Sequence, residues 1–155
     1  MSFRITGLSP EPFRHLYGLS DAELERAGVK RYVADHKPGF PDRIEMRDVD
    51  IGQPLLLLNH VCQPAHTPYR ATHAIFIREG AEETYDRIDE VPPVMRDRLL
   101  SLRAYDSSHM MVDADVVDGA HIEAAIGRFF ANGKVAYIHA HNAKRGCYSG
   151  RIDRA

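Results

Sequence analysis

Only one stretch of this chain sustains a helical period. Ile122, Ala125, Ile126, Phe129 and Phe130 stand at i, i+3, i+4, i+7 and i+8, which sets five apolar side chains along one stripe. Asp118 offers a cap oxygen before the stripe and Asn132-Gly133 a stop after it, so the spacing predicts a helix over about 118–131. The other apolar segments are short and follow one another with turns between them rather than helices. Parallel strands need a long crossover between them, so sequential strands point to antiparallel pairing. The expected fold class is therefore α+β. It would be a single domain over 1–155 with a largely antiparallel sheet, the 118–131 helix on its apolar face, and a short N-terminal helix.

That short helix has the clearest local signal. Ser20 and Glu23 form a capping box, Leu19 and Leu24 are spaced as a hydrophobic staple, and Gly28 ends the helix. Strands are expected at Phe3 to Thr6, Val29 to Ala34, Arg43 to Arg47, Leu55 to His60, Ala71 to Glu79, Leu99 to Tyr105 and Met110 to Val117. His36-Lys37-Pro38-Gly39-Phe40-Pro41 and Gln63 to Arg70 must be loops, because proline and glycine punctuate them. The acidic stretch Glu82 to Glu90 reads as solvated loop, followed by a helical turn near Met95 to Arg98. The run from Leu55 is apolar almost throughout, as a strand buried on both faces would be.

The chemistry concentrates at the C-terminal end. In Val135-Ala136-Tyr137-Ile138-His139-Ala140-His141-Asn142 strand alternation puts Tyr137, His139 and His141 on one face and Ala136, Ile138 and Ala140 on the other. Parity gives Leu100, Leu102 and Ala104 one face of their strand, and Ser101, Arg103 and Tyr105 the opposite one. The same reading of the next strand separates Val112, Ala114 and Val116 from Asp113 and Asp115. If these strands are neighbours, Arg103, Tyr105, Asp113, Asp115, Tyr137, His139 and His141 share a polar face. Half-exposed antiparallel sheets ordinarily look like this, with Arg103 paired to an aspartate. The alternative is a pocket, made by the loops around Pro38 and Pro68 folding over that face.

Within it, His139, His141, Cys147 and Asp113 are the catalytic candidates. Tyr69, Arg70, Arg103, Asp115, Tyr137 and Asn142 are the ligand-binding candidates. Cys147, after Gly146 and before Tyr148, could act as a nucleophile with a histidine as base and Lys144 or Arg145 nearby, or it could be a small buried hydrophobe. Two histidines at i and i+2 could meet one metal ion. Yet Cys147 stands outside any Cys-x-x-Cys pair, and His60, Cys62 and His66 are irregularly spaced, so no metal ligands are assigned and the cofactor stays unknown. Arg70 could clamp an anion or pin its own loop, the second being favoured; Asn142 would most simply satisfy turn backbone.

Charge narrows the partners. A net charge of −2 and a pI near 6.5, with arginines scattered, give no footprint for nucleic acid or an anionic membrane. No apolar run nears the roughly 20 residues of a membrane span. Two cysteines behind a start without a signal pattern predict free thiols and a cytoplasmic location. The expected partner is a small polar ligand, and nothing in the sequence sets the oligomeric state. The competing reading is a non-catalytic interaction or structural protein whose polar face is plain surface.

Five segments together resemble a known family: Lys37-Pro38-Gly39-Phe40-Pro41, Pro68-Tyr69-Arg70-Ala71, Ile75-Phe76-Ile77-Arg78-Glu79-Gly80, Met111-Val112-Asp113-Ala114, and His139-Ala140-His141-Asn142 with Gly146-Cys147-Tyr148. The resemblance is to the small bacterial proteins grouped as a domain of unknown function, family 1203, and it runs over nearly the whole chain. It implies a single-domain cytosolic bacterial protein and supplies no activity, substrate or cofactor. The family pattern often has cysteine after Gly39-Phe40-Pro41, where this chain has Asp42.

Overall fold

The computed structural model describes residues 1–155. Nine strands and three α-helices follow in order: β1 Phe3–Thr6, α1 Asp21–Arg26, β2 Lys30–Val33, β3 Pro54–Gln63, β4 Ala71–Arg78, β5 Asp86–Ile88, α2 Pro93–Arg96, β6 Leu99–Tyr105, β7 Met111–Asp118, α3 Ile122–Ala131, β8 Tyr137–Asn142 and β9 Tyr148–Arg154. They form two antiparallel sheets, one of six strands ordered β5-β1-β9-β8-β6-β7 and one of three ordered β2-β3-β4. Strand residues make up 39% of the chain and helical residues 17%.

This overturns the expected α+β architecture of one sheet beneath a main helix. The protein is mostly β, and its strands are divided between two sheets. The stripe of α3 is buried as its period predicts, in a cluster with Leu100, Leu102, Ala104, Ile138, Ala140 and Ile152. However, ten residues make under three turns, and no helical layer results. The predicted start also moves. Asp118 caps a single 3-10 turn, Gly119–His121, by accepting from the Ala120 amide, and α3 begins only after it. Gly119 is obligatory there, since a Cβ would lie 1.8 Å from the Met95 carbonyl oxygen.

Two other expectations fail for local reasons. Arg43 to Arg47 is a turn, not a strand. Asp42, almost fully buried, accepts from the amides of Glu45 at 2.6 Å and Arg78 at 2.7 Å, and Met46 takes a positive φ of 54°. A short side-chain acceptor that captures backbone donors competes with strand pairing in this way. Conversely, β5 emerges inside the acidic stretch expected to be loop, because its backbone pairs with β1 whatever its side chains prefer. The capping box of α1 forms as read: Ser20 accepts from the Glu23 amide and Glu23 from the Ser20 amide.

Both faces of the six-stranded sheet are covered at its centre. One face packs in the large cluster just described. The other meets the three-stranded sheet, where Tyr148 of β9 lies in a second cluster with Leu56 and Leu58 of β3 and Ile75 and Ile77 of β4. The loop around Pro38 sits on the far side of that small sheet, where Phe40 packs edge-on against Phe76.

Candidate functional site

The register of the six-stranded sheet turns sequence parity into a lattice of side chains. Arg103 of β6 is paired with His139 of β8, and His139 with Arg151 of β9. One row away stand Tyr105, Tyr137 and Asp153, and on the other side Ser101, His141 and Tyr148. Directly paired residues share a face at roughly 5 Å between Cβ atoms, so these nine form one patch. A bulge after Ala140 brings Arg151 and Asp153 onto that patch. Simple alternation from Tyr148 points them away, which is why the sequence reading missed Arg151.

The patch is enclosed. Tyr137 and His139 are each 4% exposed and His141 is 2% exposed, so the face is not ordinary solvent surface. The cover comes from β3, β4 and the loop between them. His73 of β4 meets His141 edge-on with ring centroids 4.8 Å apart. Gln63 donates from Nε2 to the Tyr137 hydroxyl at 3.0 Å, and His109 Nδ1 lies 2.7 Å from the same oxygen. Of the two loops expected to close the face, the one around Pro68 does so, with Tyr69 against Tyr105 at 6.1 Å. The one around Pro38 does not.

Aromatic rings hold the interior of the site. Tyr105 and Tyr137 stack at 5.3 Å, while His139 meets the edges of Tyr105 at 5.2 Å and Tyr148 at 5.1 Å. The Arg151 guanidinium lies 4.1 Å from the Tyr137 ring centroid and is forked onto Asp153. Beside this lies an opening of about 230 Å³ lined by Cys62, Gln63, Pro64, Ala65, His109, Tyr137, His139 and Arg151. None of the lining residues is acidic.

The electrostatics follow from burial among arginines. Burial first, then His141, Arg151 and Arg103, push the His139 imidazole down to about 3. His141 falls to about 4, mainly through burial with Arg103 adding to it, although its Nδ1 bond to the Gly146 carbonyl at 2.9 Å opposes the shift. His73 moves the same way for the same reasons. Both strand histidines are therefore neutral at physiological pH, each with one hydrogen-bond donor and one acceptor. Arg103 presses on all three and is itself uncompensated. It is half-buried, its one side-chain bond is to Ser101 Oγ at 3.4 Å, and no carboxylate pairs with it.

The remaining candidates are scattered. Asp113 and Asp115 are in register with Ala104 and Leu102, so they lie on the opposite face of the sheet from the histidines. Both are exposed, and Asp115 is paired with Arg128 of α3. The parity error arose because a bulge between β6 and β7 shifts the pairing by one residue. Arg70 is exposed and donates to the Pro64 carbonyl, fastening its own loop. Asn142 and Cys147 belong to the β8–β9 turn, where the Asn142 amide donates to the Cys147 carbonyl at 2.9 Å. The reading also passed over Gln63, His73 and His109. His73 is legible in hindsight, two residues before the buried Ile75 on the same side of β4. His109 lies in a turn at φ 63°, where no period applies. No three His, Cys, Asp or Glu side chains are placed to hold a metal ion.

The family described as "Protein of unknown function (DUF1203)" matches residues 39–154. No curated protein and no solved structure matches the chain. The match spans the cover and the whole His139–His141 patch, so the site lies within the family domain.

Proposed function

We propose, of a chain that belongs to the DUF1203 family, that it binds a small anionic ligand on the enclosed patch around His139, where Arg103 and Arg151 stand in register on either side of the imidazole and Arg151 also lines the opening. The observation that carries this reading is the uncompensated Arg103. A partly desolvated guanidinium beside neutral imidazoles and away from acids is a fork for carboxylate or phosphate oxygens. The opening is below the roughly 300–1,000 Å³ of sites for drug-sized molecules, which favours a compact ligand. Tyr137, Gln63 and His109 would fix its orientation, and neutral His139 could take up a proton from it or return one. The bound anion would draw His139 and His141 back toward their ordinary range, so binding should strengthen as pH falls from neutrality. Its setting on this reading is the bacterial cytoplasm, with no nucleic-acid partner.

Calorimetric titration with a panel of mono- and dicarboxylates and inorganic phosphate tests the proposal. One class should bind, and Arg103→Gln should weaken it by about tenfold or more, the loss of one charge-assisted pair. Proton uptake should appear as a buffer-dependent heat. Affinity unchanged in Arg103→Gln, or no binding by any anion, would overturn the reading and leave the enclosed patch as a polar core.

A further inference from the structure

The imidazole of His141 constrains whatever binds beside it. Its Nδ1 stands 2.9 Å from the Gly146 carbonyl oxygen. A carbonyl oxygen only accepts, so Nδ1 carries the ring proton and Nε2 is left as a bare lone pair. No group of the protein donates to that nitrogen, although His141 is only 2% exposed. The neighbouring His73 Nε2 is likewise without a partner but fully sealed from solvent, whereas the His141 nitrogen is not. Burial, with Arg103 adding to it, pushes the His141 imidazole down to about 4, so protonation near neutrality does not quench the lone pair. A deeply buried acceptor in this state calls for a donor from outside the chain.

Arg103 stands next to it. Arg103 Nε reaches toward Ser101 Oγ at 3.4 Å, and Ser101 is in register with His141. The free guanidinium and the free lone pair therefore share one corner of the patch. Charge narrows the ligand further. Arg151 is already forked onto Asp153, so Arg103 is the unmatched cation of the patch, and a single carboxylate matches it. No residue lining the opening is acidic, so an ammonium group there would meet guanidinium groups and no counter-charge. The donor owed to His141 is thus a hydroxyl rather than an ammonium. Inorganic phosphate also brings both functions, but it carries more than one charge at neutral pH, and nothing in the patch matches the excess.

Resting on the anion-binding reading above, we infer that the ligand is a short hydroxy monocarboxylate, its carboxylate forked by Arg103 and its hydroxyl donated to His141 Nε2. The opening of about 230 Å³ beside the patch keeps it to a few carbons.

The whole chain is titrated by calorimetry near neutral pH with two matched pairs, lactate with propionate and 3-hydroxybutyrate with butyrate, and with alanine, malate and inorganic phosphate. In at least one pair the better enantiomer of the hydroxy acid should bind about tenfold or more tighter than its partner, which leaves the His141 lone pair without a donor. Alanine, with its ammonium, and malate, with its second carboxylate, should bind more weakly than that hydroxy acid. In His141→Phe the preference should disappear while the plain carboxylate still binds. Should that variant fail to fold, the ratios within the two pairs in the unaltered protein still decide the matter. Plain carboxylates bound as tightly as both hydroxy acids, or phosphate or malate bound more tightly, would overturn the hydroxy-acid inference and leave the anion site standing. Binding of none of these anions would overturn the anion site itself.

Discussion

The two faces of the six-stranded sheet share strands, backbone and depth, yet they are built on opposite principles. Toward α3 lie Leu100, Leu102, Ala104, Ile138, Ala140 and Ile152, each at 0% exposure. They need no partner of any one kind, since apolar burial is non-directional and scales with area. Toward the small sheet lie Arg103, Tyr105, Tyr137, His139, His141 and Tyr148, most of them just as deep. Every one of these needs a hydrogen bond, a ring edge or a counter-charge, and Arg103 lacks the last of these. Polar groups that are buried and fully paired rigidify a core, whereas one left short marks a place where something else can bind. On the proposed reading, the contrast separates the part of the sheet that sustains the fold from the part that would meet a ligand.

The sharpest way to break the contrast is to damage the apolar face alone. Leu102→Ala should cost about 2–5 kcal/mol in urea unfolding and leave anion binding intact in the protein that remains folded. Acid tests the other face. His139 and His141 titrate near 3 and 4 when folded, against 6.5 when free, so the unfolded chain binds protons first. Stability is then full above about pH 6.5 and is lost as pH falls toward 4, by up to about 1.4 kcal/mol per pH unit for each histidine. A His139→Phe/His141→Phe variant should flatten that slope in denaturant titrations run from neutral to acid pH; a slope unchanged in the variant would move the effect to the carboxylates. Tyr137→Phe, which strands Gln63 and His109, should cost about 1 kcal/mol by thermal melting and disturb ligand binding more than folding. Smallest of all, Asp115→Asn removes only a surface ion pair with Arg128 and should leave the melting temperature within error, because exposed pairs contribute little.

Much of the site was legible and much of its frame was not. Alternation along β6 and β8 placed Arg103, Tyr105, Tyr137, His139 and His141 together, because a regular strand repeats every two residues. Alternation failed for Asp113 and Asp115 on β7 and for Arg151 on β9, each beyond a bulge that leaves no mark in composition. The capping box at Ser20 was legible because both of its bonds are local. Division of the strands into two sheets was not, since it depends on which long-range pairs form. Neither was the burial of Arg43, read as a strand residue when a carboxylate one position earlier was folding it into a turn.

β7 closes one side of the larger sheet with nothing hydrogen-bonded beyond it. A free edge of eight residues with exposed Val112 and Val116 is a template on which a second chain could stack. Asp113 and Asp118, neither of them paired with a cation, lie along that edge, so a neighbouring copy approaching it would meet its own charge. Carboxylates along an edge strand oppose such stacking, a physical role open to the aspartates that proved remote from the histidines.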